Sequence, residues 1–157
     1  WVKIESLKVK NYEDKTEMSA KLLADYVIGA IESGQYDFIA MNFANMDMVA
    51  HTGNFASAQK GVSVVDTEMT RIIRALKRKG GQAVVTSDHG NVEEMIDEGS
   101  GEPNTEHSVN PVPFILIDSH VPAPHKLPDG KLANVAPTIL KMMGIKQPPE
   151  MTAKSLI

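Results

Sequence analysis

Two segments of the chain pair an aspartate with a histidine at spacings that suit metal binding. Asp47 and His51 stand four residues apart, so a turn of helix there would project both side chains from one face, as two ligands of one ion require. Asp88 and His89 are adjacent and follow the apolar run 82–86. Taken alone, the first pair is also compatible with a solvated helix face, and Asp88 with a helix cap.

A third histidine, His107, lies in a polar loop, where a lone histidine is commonly just exposed. If the strands that precede the two pairs are parallel, their carboxyl ends open on one edge of a sheet, and the three segments converge there. Three histidines and two carboxylates are the ligand mix expected for Mn²⁺ or Zn²⁺. Two adjacent ions would serve hydrolysis or phosphoryl transfer. His120 and His125 occupy a proline-rich stretch and are interpreted as exposed loop histidines.

The elements that must position these residues follow from the hydrophobic pattern. Apolar residues at helical spacing, each run closed by glycine, predict three helices, over about 19–33, 55–79 and 134–143. Short apolar runs predict strands at 36–43, 82–86 and 112–117. Because strands and helices alternate, we expect an α/β fold, a three-layer αβα sandwich with a largely parallel sheet.

Composition limits the function further. The 157 residues are 42% hydrophobic and 23% charged with a net charge of −4, which describes a soluble globular chain without a basic field for nucleic acid. No apolar run reaches the roughly 20 residues of a membrane span, so neither nucleic acid nor a membrane is an expected partner. The chain has no cysteine, which excludes thiolate ligands and is compatible with a cytoplasmic location.

Five segments of the chain form a recognisable set of motifs, at residues 42–54, 86–91, 106–114, 132–138 and 149–152. Together they resemble the cofactor-independent phosphoglycerate mutase family of the alkaline phosphatase superfamily. The order and intervals match across nearly the whole chain, and the motifs are highly specific. The resemblance implies an alkaline-phosphatase-like fold and the glycolytic interconversion of 3-phosphoglycerate and 2-phosphoglycerate through a phosphoserine.

The resemblance also implies roles for individual residues. Asp47, His51 and His107 would bind one Mn²⁺, and Asp88 with His89 would bind the second, where Mg²⁺, Co²⁺ or Zn²⁺ are further possibilities. No 2,3-bisphosphoglycerate would be needed. Lys8 matches an active-site lysine that stabilises the phosphoryl group. Leu7 stands where the family usually has proline, which leaves the local backbone less fixed but keeps the amine; the residue types alone describe Lys8 as an exposed lysine.

The family's nucleophilic serine, one further metal-binding aspartate and its inserted transferase domain have no match in the chain, and Ser87 is not that nucleophile. We therefore expect residues 1–157 to be the carboxyl-terminal portion of the phosphatase domain, inactive alone and able to self-associate, of an enzyme that is monomeric when whole. The alternatives are another metal-dependent superfamily member, a phosphopentomutase or phosphodiesterase, and a non-catalytic metal-binding fragment.

Overall fold

The computed structural model describes residues 1–118 and 126–157. Its backbone separates into two compact units, residues 1–81 with 89–112 and residues 82–88 with 113–157. His120, His125 and most of the proline-rich stretch lie outside the described residues. Among the residues described, no helix combines the length and apolar character needed to cross a bilayer.

The first unit is built on two long helices, α1 (Ala20–Ser33) and α3 (Phe55–Arg78). Glycine ends both, as predicted: Gly34 and Gly80 have φ angles of 65° and 68°, the left-handed conformation that glycine adopts without a Cβ penalty. Asn54 caps the start of α3 by accepting a hydrogen bond from the Ser57 amide at 3.0 Å. Arg71 of α3 pairs with Asp25 of α1, which fixes one helix against the other.

Between them in sequence lies the short helix α2 (Asn45–Ala50), which contains Asp47 and ends directly before His51. Val49 and Ala50 are fully buried and form a core cluster with Ala58 of α3 and Met95. The buried Asn45 donates hydrogen bonds to the carbonyl oxygens of residues 16 and 17 at 2.7 and 3.0 Å. Both contacts anchor α2 to its surroundings.

The second unit contains the strands β1 (Ala83–Thr86) and β2 (Phe114–Ile117) and the helix α4 (Val135–Met142). The strands pair antiparallel, with Thr86 opposite Phe114 and Ala83 opposite Ile117. The fully buried Thr138 of α4 accepts a hydrogen bond from the Leu156 amide at 3.0 Å, which holds the carboxyl-terminal segment on the helix.

The sheet differs from the sequence-based expectation in two ways. Among the described residues the only sheet is the antiparallel pair, not a largely parallel one. In a parallel pair, a crossover must return the chain to the end at which the first strand began. Here the last residue of β1 faces the first residue of β2, as in an antiparallel pair. The predicted strand at 36–43 pairs with no other described segment and is not a strand in the structure. An apolar run forms a strand only where a neighbouring segment pairs with its backbone.

Candidate metal centre

Helix α2 presents Asp47 and His51 on one side, as their spacing predicts. The helix buries Asn45, Val49 and Ala50, so residues 47 and 51 remain on the accessible face, with the Asp47 side chain 38% and the His51 side chain 40% exposed. The buried face therefore sets the direction in which the two polar side chains point.

Three ligand-type atoms meet above this face. The Nε2 atom of His107 lies 3.1 Å from Oδ1 of Asp47 and 3.1 Å from Nε2 of His51. Oδ1 of Asp47 lies 3.2 Å from Nε2 of His51. The three atoms form a nearly equilateral triangle, and the structure thereby brings together residues that lie 60 positions apart in the chain.

The carbonyl oxygen of Thr105 determines which nitrogen of His51 faces the triangle. This oxygen lies 2.6 Å from Nδ1 of His51 and can only accept, so Nδ1 must donate the proton. In the neutral ring Nε2 then carries a lone pair that points at the other two atoms. Contact from the opposite nitrogen to a backbone carbonyl is the usual support of a histidine that ligates a metal.

The donor set fits a cation. If the histidines are neutral, a proton on Nε2 of His107 can be donated in the contacts that this atom makes with Asp47 and His51. Oδ1 of Asp47 and Nε2 of His51, however, are both acceptors and still face each other at 3.2 Å. Imidazole and carboxylate ligands suit Zn²⁺, Mn²⁺ and related divalent ions, and neighbouring ligand atoms around one such ion stand roughly 3 Å apart when its bonds are about 2.0–2.2 Å. The edges of the triangle match this spacing.

Asn91 supports Asp47 from the next loop. Its side-chain Nδ2 donates to Oδ1 of Asp47 at 2.8 Å. Burial acts to raise the pKa of the Asp47 carboxyl, but this hydrogen bond and the positive charge that the three nearby histidines can carry outweigh burial and lower the pKa below its usual value. The aspartate is therefore ionised, as a ligand must be.

His89 lies beside the triangle. Its ring stacks on that of His107, with centroids 3.7 Å apart and planes inclined by 20°, while Nδ1 lies 3.3 Å from the carbonyl oxygen of Gly90. Asp88 belongs to the second structural unit and His89 to the first. The second metal pair, Asp88 and His89, stays a prediction.

Lys8 lies in the irregular segment that precedes the first helical turn and is exposed. It lines an open hollow of about 690 Å³ formed by residues 3–10 and Tyr12. Its role stays a prediction as well.

Glu93 joins the two loops that carry His89 and His107. Its carboxylate accepts hydrogen bonds from the Asn91 amide at 2.8 Å, from the Ser108 hydroxyl, and from the Asn110 side chain at 3.3 Å. Burial acts to raise the pKa of Glu93, but these bonds and one from its own backbone amide prevail and lower the pKa to about 2. The amide of Ser108 also donates to the carbonyl oxygen of Gly90 at 2.9 Å.

The sequence predicts no role for Thr105 or Glu93, and it includes Asn91 and Ser108 only as members of the motif segments 86–91 and 106–114. Thr105 acts through a backbone atom that any residue would provide, so its type carries no signal. Asn91 and Glu93 lie two and four residues after His89, so their position beside the predicted Asp88–His89 pair is a signal that the sequence offers.

The comparisons with known proteins agree with this chemistry. A sequence profile described as the metalloenzyme superfamily matches residues 1–147. The chain is 54% identical over 155 residues to the 2,3-bisphosphoglycerate-independent phosphoglycerate mutase 2 of Methanosarcina barkeri, covering 98% of this chain and 29% of that protein. It is 49% identical over 156 residues to the 2,3-bisphosphoglycerate-independent phosphoglycerate mutase of Rhodopseudomonas palustris, covering 99% of this chain and 30% of that protein.

A solved structure is also similar. The crystal structure of Leishmania mexicana phosphoglycerate mutase at low cobalt concentration matches 98% of this chain and 30% of its own, with a TM-score of 0.87 and 29% sequence identity. The likeness confirms the predicted α/β, alkaline-phosphatase-like fold class. The chain spans about three tenths of the length of the relatives that it matches.

Proposed function

The chain belongs to the metalloenzyme superfamily, and from this premise we propose that it supplies metal ligands to a cofactor-independent phosphoglycerate mutase. The observation that carries the proposal is the convergence of Asp47, His51 and His107, whose ligand atoms all lie within 4.8 Å of one another. The mutase relatives, about half identical over nearly the whole chain, support the choice of reaction.

In this proposal Asp47, His51 and His107 hold one divalent ion, and Asp88 with His89 contribute to a second. Bound ions of this kind neutralise charge on phosphoryl oxygens and activate oxygen nucleophiles. The residues of the chain prepare the site: Thr105 keeps the His51 lone pair directed inward, and the hydrogen bond from Asn91 lowers the pKa of Asp47. Lys8 would add a positive charge for the phosphoryl group.

The proposal extends to the substrate, the ions, the cellular location and the domain to which the chain belongs. The substrate is 3-phosphoglycerate, converted to 2-phosphoglycerate in glycolysis and in the reverse direction in gluconeogenesis. The ions are two Mn²⁺, 2,3-bisphosphoglycerate is not required, and the protein works in the cytoplasm. Residues 1–157 form the carboxyl-terminal portion of the phosphatase domain of a protein about three times as long, as the coverage of the relatives suggests.

Calorimetric titration of the purified chain with Mn²⁺ tests the ligand assignment. We expect one ion to bind through the triad and a second to bind weakly or not at all, and we expect His51→Ala to abolish the stronger event. His125→Ala, a histidine outside the predicted ligand set, is the matched control and should bind like the unmodified chain. Absence of Mn²⁺ affinity, or equal affinity in His51→Ala and His125→Ala, would refute the assignment.

A turnover assay separates the mutase proposal from its alternatives. The chain alone is expected to bind Mn²⁺ without converting 3-phosphoglycerate, because no residue in it matches the family's nucleophilic serine. Joined to the remaining seven tenths of a relative, it should restore conversion of 3-phosphoglycerate. Hydrolysis of a phosphodiester, or interconversion of pentose phosphates, in place of phosphoglycerate conversion would assign it to another branch of the superfamily.

A further inference from the structure

Glu93 occupies an unusual position between the ligand-bearing segments. It is exposed and is not among the three residues whose ligand atoms converge, yet one of its carboxylate oxygens accepts from the Asn91 amide and the other from the Ser108 hydroxyl. Asn91 in turn donates to Asp47, and Ser108 directly follows His107. One side chain therefore links the supports of two of the three triad residues.

The two loops pack closely around this link. A Cβ atom on Gly90 would meet both the Ser108 hydroxyl oxygen and a Glu93 carboxylate oxygen. The two loops approach so closely here because residue 90 has no side chain. The bridge between Gly90 and Ser108 holds the backbones at the same point.

Asn91 adds an independent observation. The residue is only 5% exposed, and its Oδ1 atom is buried without a hydrogen-bond partner among the described residues. An unpaired buried acceptor costs stability. The Nδ2 atom of the same side chain makes the favourable contact, its hydrogen bond to Asp47. That contact depends on the backbone position of Asn91, whose amide donates to the Glu93 carboxylate at 2.8 Å.

We propose that Glu93 is a positioning residue of the metal centre, which holds Asn91 and Ser108 so that Asp47 and His107 reach the ion together with His51. The inference rests on the proposed function, because it assumes that the triad binds a divalent ion. It assigns Glu93 no direct contact with the metal or the substrate. Its effect is on the geometry of the ligands in the folded protein.

The test is Mn²⁺ titration of the full chain with Glu93→Gln. The amide keeps the size of the side chain but replaces one acceptor oxygen by a donor, so it cannot serve both partners. Supporting groups around metal ligands typically change affinity by about 10–100-fold, and we expect a loss of at least about tenfold in Mn²⁺ affinity. Glu98→Gln, the same charge change at an exposed position outside this link, should leave affinity unchanged.

Two further measurements keep the test independent of folding. Ser108→Ala removes the second partner of Glu93 without altering the carboxylate and should weaken Mn²⁺ binding in the same direction. The visible absorption spectrum of the Co²⁺-loaded chain should change in both variants, since it reports the arrangement of the ligands. Lower thermal stability with unchanged affinity and spectrum would mean that Glu93 is only structural and would overturn the inference.

The outcomes are distinguishable from failure of the proposed function. If the unmodified chain binds no Mn²⁺, the ligand assignment fails and this inference falls with it. If the unmodified chain binds and Glu93→Gln binds equally well, the inference alone is overturned.

Discussion

At the scale of single residues, the centre depends on where protons reside. His51 must keep its proton on Nδ1 to satisfy the Thr105 carbonyl oxygen, and Asp47 must have lost its own. Glu93 is ionised down to a pH of about 2 because hydrogen bonds to its carboxylate outweigh the cost of burial. Each group is fixed by a neighbour that is not itself a ligand of the proposed ion.

Glu93 gives a pH prediction with a definite sign. Its pKa in the folded chain, about 2, lies below the ordinary value of 4.5, so its ionised form stabilises the fold at pH values above about 4.5. That contribution should disappear as the pH falls toward 2. We expect the difference in unfolding free energy between the unmodified chain and Glu93→Gln to be constant near neutral pH and to shrink in acid.

Urea denaturation at several pH values, with a chelator present to remove metal, measures this difference. Glu98→Gln serves as the reference for loss of one negative charge. A gap between the unmodified chain and Glu93→Gln that stays the same from pH 7 to pH 3 would contradict the assignment of its pKa.

At the scale of elements, α2 works as a two-sided support. Its buried side packs through Val49, which is fully buried, and its accessible side carries two of the triad residues. We expect Val49→Ala to destabilise the chain by roughly 2 kcal/mol through lost packing and a residual cavity. It should also weaken Mn²⁺ binding, since the helix can then shift.

Thermal unfolding and calorimetric titration together check this prediction. Val62→Ala makes the same change on α3 at a side chain that is 39% exposed, and it should alter stability by less than about 0.5 kcal/mol. Equal effects of the two substitutions would argue against a supporting role for the buried side of α2.

Helix α1 offers a prediction of the opposite sign. Gly29 lies within the helix, and a Cβ atom there would have no neighbour within 4 Å. Gly29→Ala should therefore stabilise the chain by about 0.5–1 kcal/mol, because alanine loses less backbone entropy in a helix. Gly34→Ala, at the left-handed position with φ of 65°, should destabilise it, and urea denaturation would distinguish the two.

The elements also show what the sequence can predict. Helical periodicity located α1 and α3 to within about a residue, because it reports which face is buried. The convergence of Asp47, His51 and His107 was predicted from residue types and from the family resemblance. The antiparallel pairing of β1 with β2 was not, since strand direction depends on where distant segments meet. The hydrogen bonds of Asn91 and Glu93 depend on side-chain geometry that spacing does not specify.

At the scale of the whole molecule, the apolar run 36–43 stands out. Tyr36 and Phe38 are 58% and 54% exposed, and the run pairs with no strand among the described residues. An extended apolar segment with unpaired backbone groups is a template for pairing with another chain. We predict concentration-dependent self-association of the isolated chain, reduced by Phe38→Lys.

Light scattering coupled to size-exclusion chromatography measures this association. Leu22→Lys is the control, since Leu22 is 60% exposed but lies on a helix whose backbone groups are already paired. A single monomeric species at all concentrations, or an equal effect of both substitutions, would contradict the role of the 36–43 run.

The distance in sequence between Asp47 and His107 has a consequence for folding as well as chemistry. An ion bound by both would tie together two points 60 residues apart in a chain that has no cysteine for a disulfide. An ion that binds only the folded chain would stabilise that state by mass action, and more strongly as the concentration of free ion rises. Removing the ion with a chelator should therefore make the chain easier to digest with a protease, apart from any effect on a reaction rate.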